Sequence, residues 1–193
     1  MSSLPSFVDK PTIIGNRVRL RPLTVADTDV VMETLADVEA MRLTGTHREF
    51  TEAAVRATLA RWSNQDDRID WAVVEHATGE HAGEVVLNDL DPHNASCGFR
   101  IALTGRYTGR GLGTEATRLA VGHAFDTVGL HRVELEVYSF NPRAHDVYVK
   151  AGFVHEGTRR HALCWDGEWI DAHVMAILAH EWANRADRTP APR

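Results

Sequence analysis

Apolar and polar residues alternate near the start of the chain with the two-residue period of a half-buried β-strand. Val18 and Leu20 alternate with arginines, and Pro22 ends the pattern because proline has no amide hydrogen to give to a strand ladder. Thr24 is a suitable N-cap, so we predict a helix over residues 25–35. A second helix is predicted over residues 51–62.

Three apolar runs in the middle of the chain predict three antiparallel strands. They cover residues 71–74, 82–87 and 97–103, and turn-forming residues separate them. A glycine-rich segment, residues 108–114, comes next. The apolar positions that follow it recur at steps of three and four, which predicts a helix that ends at Gly129: Ala116, Leu119, Ala120, Ala124 and Val128.

Two more strands and a helix are predicted in the last third of the chain. Residues 133–138 alternate between aliphatic and polar side chains, as in a strand with two different faces. Asn141 is a good N-cap, Pro142 suits the first helical position, and Gly152 can end the helix. Strand segments from residue 153 onward and over residues 170–178 flank an Asp166-Gly167 pair, which predicts a type I′ hairpin turn. This order indicates an α/β protein with a mixed sheet.

The composition is that of one globular domain. The chain has 193 residues, 44% of them hydrophobic, which is enough to form a core without disulfides or metals. We therefore expect a single domain over residues 1–193, with its core over about 17–182 and a flexible tail at 185–193. The formal net charge of −6 argues against nucleic-acid binding and favours a cationic or neutral substrate.

Neither a membrane segment nor a metal site is predicted. Nowhere do eighteen consecutive apolar residues occur. The two cysteines, Cys97 and Cys164, form no Cys-x-x-Cys pair, and the histidines form no His-x-x-x-His pair beside an acidic ligand. We expect a protein of the reducing cytoplasm that binds no metal.

The glycine-rich segment is the first candidate for chemistry. Alternate glycines between a strand and a helix leave the backbone amides open, and free amides at a helix N-terminus bind anionic oxygens such as those of a pyrophosphate. Arg110 would add positive charge. The spacing is Gly-x-Gly-x-Gly, which differs from the Gly-x-Gly-x-x-Gly of dinucleotide folds, and no Gly-Lys-Ser or Gly-Lys-Thr follows.

The motifs around this loop resemble those of the GCN5-related N-acetyltransferases (GNAT). Asn141-Pro142-Arg143-Ala144, Tyr148, Lys150 and Ala151-Gly152-Phe153 follow the loop in the order of that family. Residues 17–23, 111–116 and 165–171 are similar to its RimJ/RimL-like branch, which acetylates the N-termini of ribosomal proteins. The resemblance extends over residues 17–182.

This resemblance implies a fold, a cofactor and a reaction. The expected fold is α/β, with a central, mostly antiparallel twisted sheet of about seven strands and helices on both faces. The expected cofactor is acetyl-coenzyme A, which gives its acetyl group to a primary amine on a protein N-terminus or a small molecule, and homodimers are common. The residues expected to bind the cofactor are Ile101, Ala102, Leu103, Thr108, Gly109, Arg110, Gly111, Leu112, Gly113, Thr114 and Asn141.

Proton transfer needs an acid and a base, because an alkyl amine is mostly protonated at neutral pH. The resemblance implies Glu136 as base and Tyr148 as acid. From the residues alone, Glu136 equally fits a solvated strand face, and a core position in a helical stripe is the alternative for Tyr148. Glu84, Asp89 and Asp171 are alternative bases.

A second class of function stays open at this point. Thr108 stands where the loop of this family usually begins with Gln, Arg or Trp, so a coenzyme A-binding sensor without turnover is the alternative to an enzyme. A covalent cysteine route is disfavoured, because neither cysteine lies in a recognisable nucleophile context.

Overall fold

One sheet of eight strands lies at the centre of residues 4–185, the part of the chain described by a computed structural model. The strands are β1 (Ile13–Ile14), β2 (Val18–Pro22), β3 (Ile69–Glu75), β4 (His81–Asp91), β5 (Ser96–Leu103), β6 (Arg132–Tyr138), β7 (Val154–Trp165) and β8 (Glu168–Leu178). Their order across the sheet is β1-β2-β3-β4-β5-β6-β8-β7. Neighbouring strands are antiparallel except for β5 and β6, which are parallel.

Six α-helices accompany the sheet within the same residues. They are α1 (Thr28–Ala36), α2 (Val38–Thr44), α3 (Glu52–Trp62), α4 (Leu112–Gly122), α5 (Pro142–Ala151) and α6 (Ala179–Ala183). A 3-10 turn, Val25–Asp27, leads into α1, and a π-helical turn, His123–Thr127, continues α4. A second 3-10 turn, Gly105–Tyr107, precedes the glycine loop.

Helices cover both faces of the sheet, and the alternation of side chains along β3 separates the two layers. Trp71 and Val73 join the core that contains residues of α4 and α5. Ala72 and Val74 point the other way and pack with residues of α1 and α3. We call these surfaces the α4 face and the α1 face. The predicted mixed sheet with helices on both faces is confirmed.

The sheet opens between β5 and β6. The ladder between these strands consists of three pairs, Ser96 with Arg132, Cys97 with Val133 and Gly98 with Glu134. Both strands continue past the last pair, β5 to Leu103 and β6 to Tyr138, without pairing to each other. The separating strands leave a wedge that passes from one face of the sheet to the other.

Several predicted helix ends and turns are confirmed by backbone geometry. The Asn141 side chain accepts a hydrogen bond from the amide of Ala144 at 3.1 Å, and Gly152 ends α5 with φ +97°. Asp166 and Gly167 both have positive φ, at 50° and 83°, as a type I′ turn requires. These features depend on neighbouring residues, which is why the local sequence predicts them.

Three short elements were not predicted, and one predicted helix is divided. The unpredicted elements are β1, α2 and α6, which have two, seven and five residues and are too short for a clear periodic pattern. The helix predicted over residues 25–35 is a 3-10 turn followed by α1. With β1 included, the sheet has eight strands where about seven were expected. The predicted tail lies outside the described residues, apart from Arg185.

Glu84 on β4 gives the sheet a pH-dependent stability. Burial, together with the negative charges of Asp70 and Asp27, raises the pKa of Glu84 to about 7, against the opposing effect of Arg100. Because the folded state favours the protonated carboxyl, this residue becomes destabilising as pH rises from about 4.5 towards 7. We expect Glu84→Gln to raise the free energy of unfolding by about 2 kcal/mol at pH 8 and by much less at pH 5. Urea denaturation at both pH values measures this, and an equal change at both would contradict it.

Candidate active site

A cleft of about 1030 Å³ fills the wedge between β5 and β6. Its volume is at the upper end of the range for small-molecule sites. Of the residues predicted to act in catalysis or cofactor binding, those that line it are Ile101, Ala102, Leu103, Thr108, Gly109, Gly111, Gly113, Thr114, Glu136, Asn141 and Tyr148. The structure thus brings together residues that are up to 47 positions apart in the sequence, from Ile101 to Tyr148.

The glycine loop forms one wall of the cleft, and its geometry fits a phosphate group. Gly109 and Gly111 have φ of +74° and +81°, which side chains other than glycine rarely adopt. Within residues 4–185, no side-chain hydrogen bond caps the first turn of α4, whereas Asn141 caps that of α5. The amides at the start of α4 are therefore available to anionic oxygens.

Two predicted cofactor residues do not reach the cleft with their side chains. The guanidinium of Arg110 points to the other side of the loop, where its Nη2 atom lies 2.5 Å from Oε1 of the buried Glu75. Leu112 is buried in the main core. A buried carboxylate thus binds the Arg110 side chain away from the cleft, and the cofactor-binding role predicted for Arg110 and Leu112 stays a prediction.

Tyr148 lies on α5 with only 6% of its surface exposed, and it lines the cleft. Its ring packs edge-on against Phe99 and Phe153, with centroid distances of 6.1 and 5.9 Å. Among residues 4–185 its hydroxyl has no hydrogen-bond partner. Burial raises the pKa of Tyr148 above its ordinary value, so the phenol is protonated at neutral pH and able to donate.

Glu136 lies on the α1 face, because its neighbours Leu135 and Val137 point into the core of the α4 face. Its carboxylate forms an ion pair with Arg159 of the edge strand β7. The side chain reaches across Ala172 and Val174 of the intervening strand β8. Glu136 is 43% exposed, so solvent and ligands can reach it.

The alternative candidates are placed differently. Asp89 lines the cleft and has φ +54°, a strained backbone for a residue other than glycine. Glu84 and Asp171 do not line the cleft, and Asp171 accepts a hydrogen bond from the amide of His161. Burial raises the pKa of the Cys97 thiol, with a smaller effect from Glu134 and Asp89, so Cys97 is a poor nucleophile.

Helix α2 supplies a wall of the cleft that the sequence did not predict. Ala40, Leu43 and Thr44 line the cleft on the α1 face. Gly45 ends α2 in the left-handed conformation, and a Cβ atom there would lie 2.7 Å from Cε2 of Tyr138. Because Gly45 has no side chain, the end of α2 can pack directly against the Tyr138 ring at the end of β6. The sequence signal for this helix is an Asp at position 37, which can cap a helix, followed by a Gly at position 45, which can end one.

Two further properties concern metals and membranes. Within residues 4–185, no group of three or more histidine, cysteine, aspartate or glutamate side chains is arranged to hold a metal ion. In the same residues, no helix is long and apolar enough to span a bilayer.

Comparison with known proteins identifies the family. Residues 17–154 match the family described as "Acetyltransferase (GNAT) domain". The chain is 30% identical over 168 residues to spermidine N(1)-acetyltransferase of Escherichia coli (strain K12), which covers 87% of this chain and 89% of that protein. It is 28% identical over 87 residues, 45% of each chain, to the [ribosomal protein uS5]-alanine N-acetyltransferase of the same strain.

A solved structure supports the fold. The crystal structure of spermidine N-acetyltransferase from Vibrio cholerae in complex with CoA and spermine superposes with a TM-score of 0.83 and 20% sequence identity, covering 88% of this chain and 100% of that chain. The RimJ/RimL-like branch is not confirmed, because the ribosomal relative matches over less than half of the chain. The chain belongs to the GNAT acetyltransferases and is an acetyl-coenzyme A-dependent enzyme that transfers an acetyl group to an amine.

Proposed function

We propose that the acceptor is a small amine with more than one positive charge, such as spermidine or spermine. The observation that carries this proposal is the acidic lining of the cleft on the α1 face. Asp89, Glu134 and Glu136 all contribute to that lining. The likeness to a spermidine acetyltransferase over 87% of the chain supports it.

Arg100 also lines this face, so the three carboxylates exceed the positive charge of this lining by two, and this excess favours a cation at Asp89. Glu134 shares Arg132 with Glu156, with nitrogen to oxygen distances of 2.9 and 2.6 Å, and Glu136 is paired with Arg159. Asp89 forms no ion pair with any residue between 4 and 185. Its carboxylate receives a hydrogen bond from the Asn88 side chain. A second ammonium group of the acceptor would supply the missing positive charge.

Glu136 and Tyr148 are our proposed proton carriers. Glu136, directly or through a water that it holds, takes a proton from the amine, which must be neutral to react. Tyr148 gives its phenolic proton to the departing sulfur, and its raised pKa keeps that proton in place until then. Bound acetyl-coenzyme A supplies the acetyl thioester. Glu136 lies on β6 and Tyr148 lies on α5, and both residues line the same cleft.

We further propose how the cofactor lies in the cleft. The loop over residues 108–114 would hold the pyrophosphate with its amides, and residues 101–103 of β5 would pair with the pantetheine arm, since this end of β5 has no partner on the β6 side. Asn141 lines the same cleft while it caps α5. The side chains of Arg110 and Leu112 have no part in this arrangement.

An acceptor panel tests the proposal. We expect kcat/KM for spermidine and spermine to exceed those for butylamine and for a peptide with an N-terminal alanine. Asp89→Asn should raise KM for spermidine about tenfold, because a charge-assisted hydrogen bond contributes about 1.5–3 kcal/mol, and should leave butylamine unchanged. Coenzyme A release measures both.

A matched control is Asp166→Asn, which removes an exposed carboxylate at a similar positive φ on the β7–β8 turn, from a residue that does not line the cleft. It should have no effect on KM. A peptide N-terminus as the best acceptor would contradict the proposal and favour the ribosomal-protein branch, to which the chain has a partial likeness. An equal effect of Asp89→Asn on butylamine would contradict the role of Asp89.

The setting of the enzyme is also a proposal. Cys97 and Cys164 are free thiols. Free thiols are typical of a reducing compartment, and we propose the cytoplasm. The net charge of −6 favours small amines as binding partners and disfavours nucleic acids.

A further inference from the structure

The phosphate end of the cleft lacks a positive charge from its own loop. Arg110 is the only basic residue in the segment 108–114, and its guanidinium is bound by Glu75. Backbone amides can bind a phosphate without any side chain. A positively charged side chain beside them adds a charge-assisted hydrogen bond and strengthens the binding. A cation that faces the loop therefore has to come from a neighbouring element.

Arg143 is such a cation. It lies in the first turn of α5 and lines the cleft, and its Nη1 atom donates a hydrogen bond to Oγ1 of Thr108 at 3.1 Å. The Thr108 hydroxyl in turn donates to the carbonyl of Gly105 at 2.8 Å. The hydroxyl thus has a fixed direction, and its remaining acceptor site holds the guanidinium beside the first residue of the glycine loop.

The dipole of helix α5 disfavours a cation at Arg143 and favours an anion beside it. The first turn of a helix carries partial positive charge, which repels the Arg143 guanidinium. No acidic residue lies in the first turn of α5, and within residues 4–185 Arg143 forms no ion pair. The planar guanidinium has five N–H donors, of which Thr108 uses one. The other four have no partner in the described part of the chain and can bind phosphate oxygens in the cleft.

We propose that Arg143, positioned by Thr108, binds a phosphate group of coenzyme A and supplies the positive charge that Arg110 does not. The shared chemistry is an arginine–phosphate pair, and two phosphate groups of the cofactor are candidates, the pyrophosphate and the 3′-phosphate. The proposal rests on the proposed placement of coenzyme A in the cleft and not on the identity of the acceptor.

Binding of three ligands to Arg143→Met tests the proposal by calorimetry without any acceptor. We expect the dissociation constant of coenzyme A to rise about tenfold, the lower end for a hydrogen bond to a charged group, because Arg143 is exposed. Pantetheine, which has no phosphate, should bind the variant and the wild type equally. A loss that persists with 3′-dephospho-coenzyme A assigns the pyrophosphate, and a loss seen only with coenzyme A assigns the 3′-phosphate.

Two further variants separate this role from a general effect. Arg56→Met removes an exposed arginine on α3, far along the chain from the loop, and should leave all three affinities unchanged. Thr108→Val should weaken coenzyme A by a smaller factor, and the double variant should be no weaker than Arg143→Met alone, because both act through one contact. An unchanged coenzyme A affinity in Arg143→Met, or an equal loss for pantetheine, would overturn the proposal.

Discussion

Tyr148→Phe is expected to lower kcat about 100-fold while the dissociation constant of coenzyme A stays within about twofold of the wild-type value. Phenylalanine keeps the ring that packs against Phe99 and Phe153, so the walls of the cleft should not change. Only the phenolic proton is lost. A general acid contributes about 10²- to 10⁴-fold to the rate, and the lower value applies because a thiolate is a stable leaving group.

The dependence on the leaving group distinguishes an acid from a packing residue. A thioester with a more acidic thiol needs less help from an acid, so the variant should lose less activity with an aryl thioester than with acetyl-coenzyme A. Tyr107→Phe is the matched control, since its hydroxyl donates to Glu80 and Tyr107 does not line the cleft. If Tyr148→Phe kept the wild-type kcat, Tyr148 would be a residue of the core and another group would protonate the sulfur.

Those parts of the site that depend on neighbouring residues could be predicted from the sequence. Asn141, Pro142 and Gly152 set the ends of α5, and the spacing within that helix then places Tyr148 seven positions after the cap. Likewise, the alternation along residues 133–138 separates Glu136 from the core side chains before and after it. Each of these inferences needs only the residue periodicity of a single helix or strand.

Contacts between distant residues could not be predicted in this way. The partner of Arg110 is Glu75, 35 positions earlier, and the partner of Thr108 is Arg143, 35 positions later. Which of the two arginines lines the cleft depends on which one a buried carboxylate binds, and the tertiary packing decides that. Sequence spacing favoured Arg110 because it lies inside the loop.

The ion pair of the proposed base, Glu136, could not be predicted from the sequence either. Arg159 is 23 positions from Glu136 and reaches it across β8, a strand whose small side chains leave room for the ion pair. Nothing in the alternation of residues 133–138 indicates such a partner. The pair keeps Glu136 oriented near the cleft, and a cationic acceptor would enter beside an arginine that is already neutralised.

Gly111→Val is expected to raise the dissociation constant of coenzyme A about 100-fold, a loss of about 2.7 kcal/mol in binding free energy. At φ +81° a β-branched residue is strained, and strain of this kind costs about 1–3 kcal/mol. A Cβ atom there would also lie 3.2 Å from Nη1 of Arg17, which donates to the carbonyl of Arg110. The loop would have to shift, and the valine methyl groups would cover amides that are proposed to hold the pyrophosphate.

Gly167→Val separates backbone strain from damage to the phosphate site. Gly167 has nearly the same φ, +83°, and a Cβ atom there meets nothing within 4 Å, on a turn that does not line the cleft. Both variants should lower the melting temperature, but only Gly111→Val should weaken coenzyme A in calorimetry. If Gly111→Val bound coenzyme A with wild-type affinity, the pyrophosphate would not lie over this glycine. The two substitutions share a backbone conformation but differ in their surroundings. If Gly167→Val weakened coenzyme A binding as much as Gly111→Val, the loss would therefore reflect backbone strain and not damage to the phosphate site.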